Sequence, residues 1–297
     1  MKKEINIKNS KIIIDCNEVM NLFLHTLNIY GLLGNHGSHY ALRKNANVKK
    51  SMDKKIEEDV KQGDRYFSYG KLEIYETGMN YILNNELWKN PIDTEYIDMG
   101  ITEKNFNLAL QKSWNEFYRS YWHETFEDRN KLFNNCINNF DFADSVDKMV
   151  LAAQRDFTKD FYIFPAEALI YSGLKFNDNI CMGDLEVGED IDFVHEGLHL
   201  LLNEKWAENN DIIEIIKKSG YKEKYYHSWV SKYEQALVIG LDCCIRNKND
   251  EAAKNYYTGC NVGDIFDVSY PLIRDYYNNG CNEDIENLML KVISRTV

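Results

Sequence analysis

The chain has 297 residues, 44% of them apolar and 13% aromatic, which is enough to bury a sizeable core and excludes a disordered or fibrous protein. Thirty-five basic against 47 acidic residues leave a net charge of −12, so the basic surface that nucleic acids and anionic lipids require is missing. We expect neither a nucleic-acid nor a membrane partner.

Seven cysteines (Cys16, Cys136, Cys181, Cys243, Cys244, Cys260 and Cys281) form no CxxC pair and are odd in number. That pattern argues against a disulfide scaffold and a thiolate zinc site, and fits reduced thiols in a cytosolic protein. The start lacks a compact apolar segment, and the first apolar helix, from Val19 to Leu33, holds Asn21, His25, Thr26 and Asn28. It is too short and polar to span a bilayer, so the expected location is the cytoplasm.

In chain order, Lys11 to Asp15 reads as a short strand and 17–33 as an apolar helix. Helical spacing continues over 44–62 and 71–88, in a helix capped by Thr102 through Phe117 or beyond, and in one capped by Ser145. The texture changes near residue 157. Phe161-Tyr162-Ile163-Phe164 is aromatic and β-branched, and Pro165 after it predicts an edge strand. Ala168 to Tyr171 and Asn179 to Met182 are further strand candidates. Helices are then predicted from about Ile191 through Leu202, over 211–219 with Gly220 closing it, over 226–246, and near 264–277 and 283–295. The expected fold is α+β, mainly α. A largely helical N-terminal region (1–156) precedes a domain (157–297) with a small mixed or antiparallel sheet.

The chemistry concentrates in His195-Glu196-Gly197-Leu198-His199. On a helix, residues i and i+4 share a face, so His195 and His199 can hold one divalent ion between them. Glu196 is turned about 100° from His195, beside the ion, where it can take a proton from an activated water. The flanking Val194, Leu198, Leu200, Leu201 and Leu202 predict a buried helix, where imidazoles and a carboxylate are costly without partners. A catalytic zinc needs a third protein ligand. The metzincin spacing would put glycine at 202 and histidine at 205, but these are Leu202 and Lys205. The strongest candidate is Glu234, whose helical neighbours Val230, Leu237, Val238 and Leu241 are apolar. Glu204 and Glu208 fall on a polar stretch and are expected in solvent.

His195, Glu196 and His199 with a downstream helical Glu234 resemble the gluzincin branch of the zincin metallopeptidases, over roughly residues 160–246. The resemblance implies a zincin-like catalytic domain, a Zn²⁺ cofactor held by His195, His199 and Glu234, Glu196 as general base, and a peptide or protein substrate. It also implies an edge strand across the cleft, for which 161–164 and 179–182 are the candidates. The chain departs from the thermolysin-like pattern at Tyr233 and Val238, where Asn and Asp would flank the third ligand.

Oxyanion stabilisation needs a further donor. His227 is the first choice, with Tyr225 and Tyr226 as alternatives, and Asp242 can orient a ligand imidazole. His36 and His39 lie in a Gly-rich turn, and His123-Glu124-Thr125-Phe126-Glu127 imitates the motif on what reads as a solvated helix face. Two other functional readings remain: a peptide- or protein-binding module without turnover, and a metal hydrolase of a non-peptide amide.

Overall fold

The computed structural model describes residues 2–29, 114–166, 173–176, 179–182, 193–202, 206, 209–218 and 226–296. The predicted helices over 44–62 and 71–88, the Thr102 start, the strand candidate 168–171, His36, His39, Glu204, Glu208, Gly220 and Tyr225 lie outside these residues. What is described is mainly helical with a small mixed sheet.

Contacts divide the chain into two compact units. The first comprises Met1–Asn6, Ser10–Asp141 and Asp160–Phe193, and the second Ile7–Asn9, Phe142–Lys159 and Val194–Val297. Both are discontinuous in sequence, whereas the sequence reading places a single boundary at 156/157.

The first unit holds the sheet: β1 (Lys2–Ile7), β2 (Ser10–Asp15), β3 (Phe161–Pro165), β4 (Gly173–Phe176) and β5 (Asn179–Met182), in the order β1-β2-β3-β5-β4. Ile12, Ile13 and Ile14 are all buried, the continuous apolar run of a strand covered on both faces. They pair in parallel with Phe161, Tyr162 and Ile163. Here the edge-strand expectation is corrected. β3 lies between β2 and β5, parallel to both. Pro165 is tolerated because it closes the strand, opposite Met182, and costs the ladder only its last amide. β5 is interior as well, since β4 pairs with it antiparallel. The edges are therefore β1 and β4. Lys2, Lys3 and Glu4 on β1 are charged and exposed, which blunts that edge against further pairing.

Helix α1 (Glu18–Ile29) is capped by Asn17, whose side chain accepts from the amide of Met20 at 3.1 Å. Its buried Asn21 donates to the Pro165 carbonyl at 2.8 Å, which ties the helix to the end of β3. A π-helical turn (Trp114–Tyr118), α2 (Arg119–Glu124) and α3 (Phe126–Asn139) follow. His123, Glu124 and Glu127 are exposed there, the solvated face expected of that imitation motif.

The second unit is helical. It contains α4 (Phe142–Ala153), most of α5 (Phe193–Leu201), α6 (Asn210–Lys218), α7 (Tyr226–Ile245) and α8 (Asp250–Gly259). A short 3₁₀ turn (Gly263–Ile265), α9 (Phe266–Asn278) and α10 (Ile285–Thr296) complete it. α4 begins three residues before the predicted Ser145 cap, because Phe142 joins Val146, Met149 and Ala153 on one buried face. α7 is its spine. Leu237, Val238, Ile239 and Leu241 have no solvent exposure, so neighbours close around the helix. Gly240 permits that approach: a Cβ there would lie 2.7 Å from both Ile273 Cδ1 on α9 and the Tyr257 hydroxyl on α8. That hydroxyl is held in place by donating to the Ala236 carbonyl at 2.7 Å.

Replacing Gly240 by alanine is therefore expected to cost about 1–3 kcal/mol through overpacking. The reading is a lower urea midpoint at unchanged slope, and an unaltered midpoint would contradict the close approach.

Candidate metal centre

Helix α5 forms from an almost wholly apolar segment. Val194, Leu198 and Leu201 are buried, and the polar residues of the motif share that interior, His195 at 7% and Glu196 at 8% exposure. Gly197 lies between them and His199. A Cβ on it would come within 2.6 Å of the Met149 sulfur, so the absent side chain lets α4 press against this turn of α5. The one-turn spacing brings the two imidazoles together as expected, their ring centroids 4.9 Å apart and their planes at 72°.

α7 supplies the facing polar groups. Glu234 Oε1 lies 3.1 Å from Nδ1 of His199. Nε2 of His199 lies 3.1 Å from Oε1 of Gln235, and Nε2 of His195 lies 3.2 Å from Nε2 of the same carboxamide. Both imidazoles thus direct their Nε2 atoms at one point, the Gln235 side chain. Nδ1 of His195 meets the Tyr256 hydroxyl of α8 at 3.0 Å. Burial first, then the charges of His199 and Arg246, hold the His195 pKa well below its ordinary value, so the ring is neutral at pH 7.

The expected residues do not all take the expected positions. Glu234 faces the histidine pair from an otherwise apolar stripe, but it is half-buried and its contact is to Nδ1 of His199. Asp242 is fully buried. It pairs with Arg246 one turn on and does not touch an imidazole directly. Burial raises its pKa and the Arg246 guanidinium opposes that rise. Tyr226 and His227 occupy the first turn of α7, and their side chains lie outside those described. Gln235 and Tyr256 received no role from the sequence. Gln235 could have been found by its place two turns before Asp242 on one helix face, whereas Tyr256 sits on a helix that no periodicity argument had marked.

Among the described residues, no three His, Cys, Asp or Glu side chains form a ready-made cage for a cation. What converges is two imidazoles on one carboxamide, with a carboxylate at the other nitrogen of His199. The donor chemistry nonetheless suits a borderline-soft divalent ion such as zinc. It offers a neutral imidazole, a second Nε2 aimed at the same point, and a carboxylate on the adjoining turn. Ligation by Glu234 requires its carboxylate to swing to the Nε2 side and the Gln235 carboxamide to withdraw. Cys243 and Cys244 do not compete as ligands. Both are free and buried, and burial pushes both thiols up to about 12.

Among the described residues no helix is long and apolar enough to cross a membrane. The chain matches no protein-family model, no curated protein and no solved structure.

The depressed His195 pKa has a measurable consequence. In the unfolded chain this imidazole takes up a proton near 6.5, while in the folded chain it does so only well below that value. Above 6.5 the group leaves stability unchanged. As pH falls beneath 6.5 the unfolded state binds the extra proton and stability is lost. With chelator present, the urea midpoint of the wild type should fall more steeply between about pH 7 and about pH 5.5 than that of His195→Asn. Parallel profiles would contradict the assignment.

Proposed function

We propose that the protein is a zinc-dependent hydrolase of peptide bonds, with a catalytic unit of the gluzincin type. The observation that carries this reading is the convergence of both Nε2 atoms of the motif histidines on one point beside a carboxylate-bearing turn of α7. His195, His199 and Glu234 would hold the ion. Bound zinc supplies Lewis acidity, lowering the pKa of water toward about 7 and polarising the scissile carbonyl.

The residues of the chain perform the remaining steps. Glu196, one residue beyond His195 on α5 and buried, takes the proton from the attacking water. It then returns that proton to the departing amine nitrogen, so protons balance over one turnover. The neutral state of His195 keeps a nitrogen lone pair available at neutral pH. The apolar flanks of α5, Val194, Leu198 and Leu201, limit bulk water and strengthen each charge interaction. Oxyanion stabilisation is assigned to His227 at the start of α7, with Tyr225 and Tyr226 as alternatives. The free, buried thiols of Cys243, Cys244 and Cys281 support a reducing, cytoplasmic compartment.

One observation favours a second reading. Glu234, Gln235 and Tyr256 engage all four ring nitrogens of His195 and His199, which suits a peptide- or protein-binding module lacking turnover. Peptide binding that survives a chelator, without cleavage, would select it.

Glu196→Gln should keep one equivalent of zinc and lose at least roughly 10²–10⁴-fold in peptide turnover. Elemental analysis and a peptide-pool assay on the same sample decide this, and retained turnover removes Glu196 from the mechanism.

A further inference from the structure

The two motif histidines close on a single carboxamide. Nε2 of His199 lies 3.1 Å from Oε1 of Gln235, and Nε2 of His195 lies 3.2 Å from Nε2 of the same group. The far ring nitrogens are anchored elsewhere, Nδ1 of His199 by Glu234 at 3.1 Å and Nδ1 of His195 by the Tyr256 hydroxyl at 3.0 Å. Both rings are thus held from two sides around the amide. The cluster is buried at His195 and reaches solvent at its other end, where the side chains of His199 and Glu234 are 16% and 24% exposed.

An amide bridged in this way makes a specific demand. One ring must donate to its oxygen and the other must accept from its N–H. In this arrangement His199 donates and His195 accepts. Turning the carboxamide over exchanges the roles and keeps the demand. The rings stand one turn apart on one face of α5, so they meet the same edge of the group. In a primary carboxamide one N–H lies beside the carbonyl oxygen on that edge. A trans peptide group carries its N–H and C=O on opposite edges and cannot serve both rings. A carboxylate has no hydrogen to offer the neutral His195 ring.

We propose that the His195–His199 pair is a recognition site for the primary carboxamide of a glutamine or asparagine side chain, filled at rest by Gln235 and entered by an external carboxamide when Gln235 withdraws. No ion takes part, so this inference stands apart from the hydrolase reading. Gln235 is tethered on α7 and competes at a high effective concentration, which makes the external ligand bind the wild type more weakly than a chain without that side chain.

The test follows the imidazole NMR signals of His195 and His199 with chelator present. Acetamide, N-methylacetamide and acetate are added in turn to wild type and to Gln235→Ala. Acetamide should shift both imidazoles of the alanine variant saturably, with an apparent affinity roughly 10-fold or more above that of wild type. N-methylacetamide, a trans secondary amide, and acetate should leave them in place. Gln235→Ser opens the same space and carries the test if the alanine variant does not fold. Imidazoles that acetamide leaves unmoved in every folded form, or that respond equally to N-methylacetamide, overturn the carboxamide site and leave the hydrolase reading untouched.

Discussion

Two imidazoles set one helical turn apart inside an apolar interior need partners for their ring nitrogens, because each unmet polar group there costs on the order of 1–3 kcal/mol. The second unit is organised around that demand. α5 cannot move its histidines to solvent without exposing Val194, Leu198 and Leu201, so the partners must come to them. Glu234 and Gln235 reach in from α7, and Tyr256 from α8. The buried Asp242 pairs with Arg246 on α7, and the Arg246 guanidinium lies 5.9 Å from the centre of the Tyr256 ring.

The same demand accounts for the packing of the unit. α7 can present Glu234 and Gln235 at a defined depth only if it is held on its other faces, and Leu237, Val238, Ile239 and Leu241 are buried all round it. Two glycines set the close approaches: Gly197 lets α4 sit against the motif turn, and Gly240 lets α8 and α9 close on α7. Tyr257, next to Tyr256, anchors α8 to the Ala236 carbonyl, and so its neighbour meets His195 in a fixed orientation. A polar cluster in a dry interior is thereby carried by rigid helices rather than by loops.

What the sequence made legible is what local spacing determines. The helix of His195, Glu196 and His199, the long helix bearing Glu234, and the closing helices follow from apolar periodicity, β2 and β3 follow from their β-branched and aromatic runs, and β5 from a short apolar run. Order within the sheet is a long-range property. Pro165 suggested an edge, yet a proline at a strand's last residue loses one amide wherever the strand sits. β1 opens on charged residues and β4 has four residues and starts on glycine, so neither carries an apolar run that marks it. α8 escaped notice because its sequence, DEAAKNYYTG, carries few apolar residues, although the capping of Ala252 by Asn249 fixes its start. For that reason the site's tyrosine was missed while its aspartate was marked. Asp242 stood out on an apolar helix, whereas Tyr256 is one of twenty tyrosines in the chain.

The most direct test of the central claim is zinc K-edge X-ray absorption on the purified, zinc-loaded protein. Two imidazole nitrogens at about 2.0–2.1 Å with a carboxylate oxygen in the same shell are predicted. A shell dominated by sulfur near 2.3 Å, or one without imidazole scattering, would contradict it.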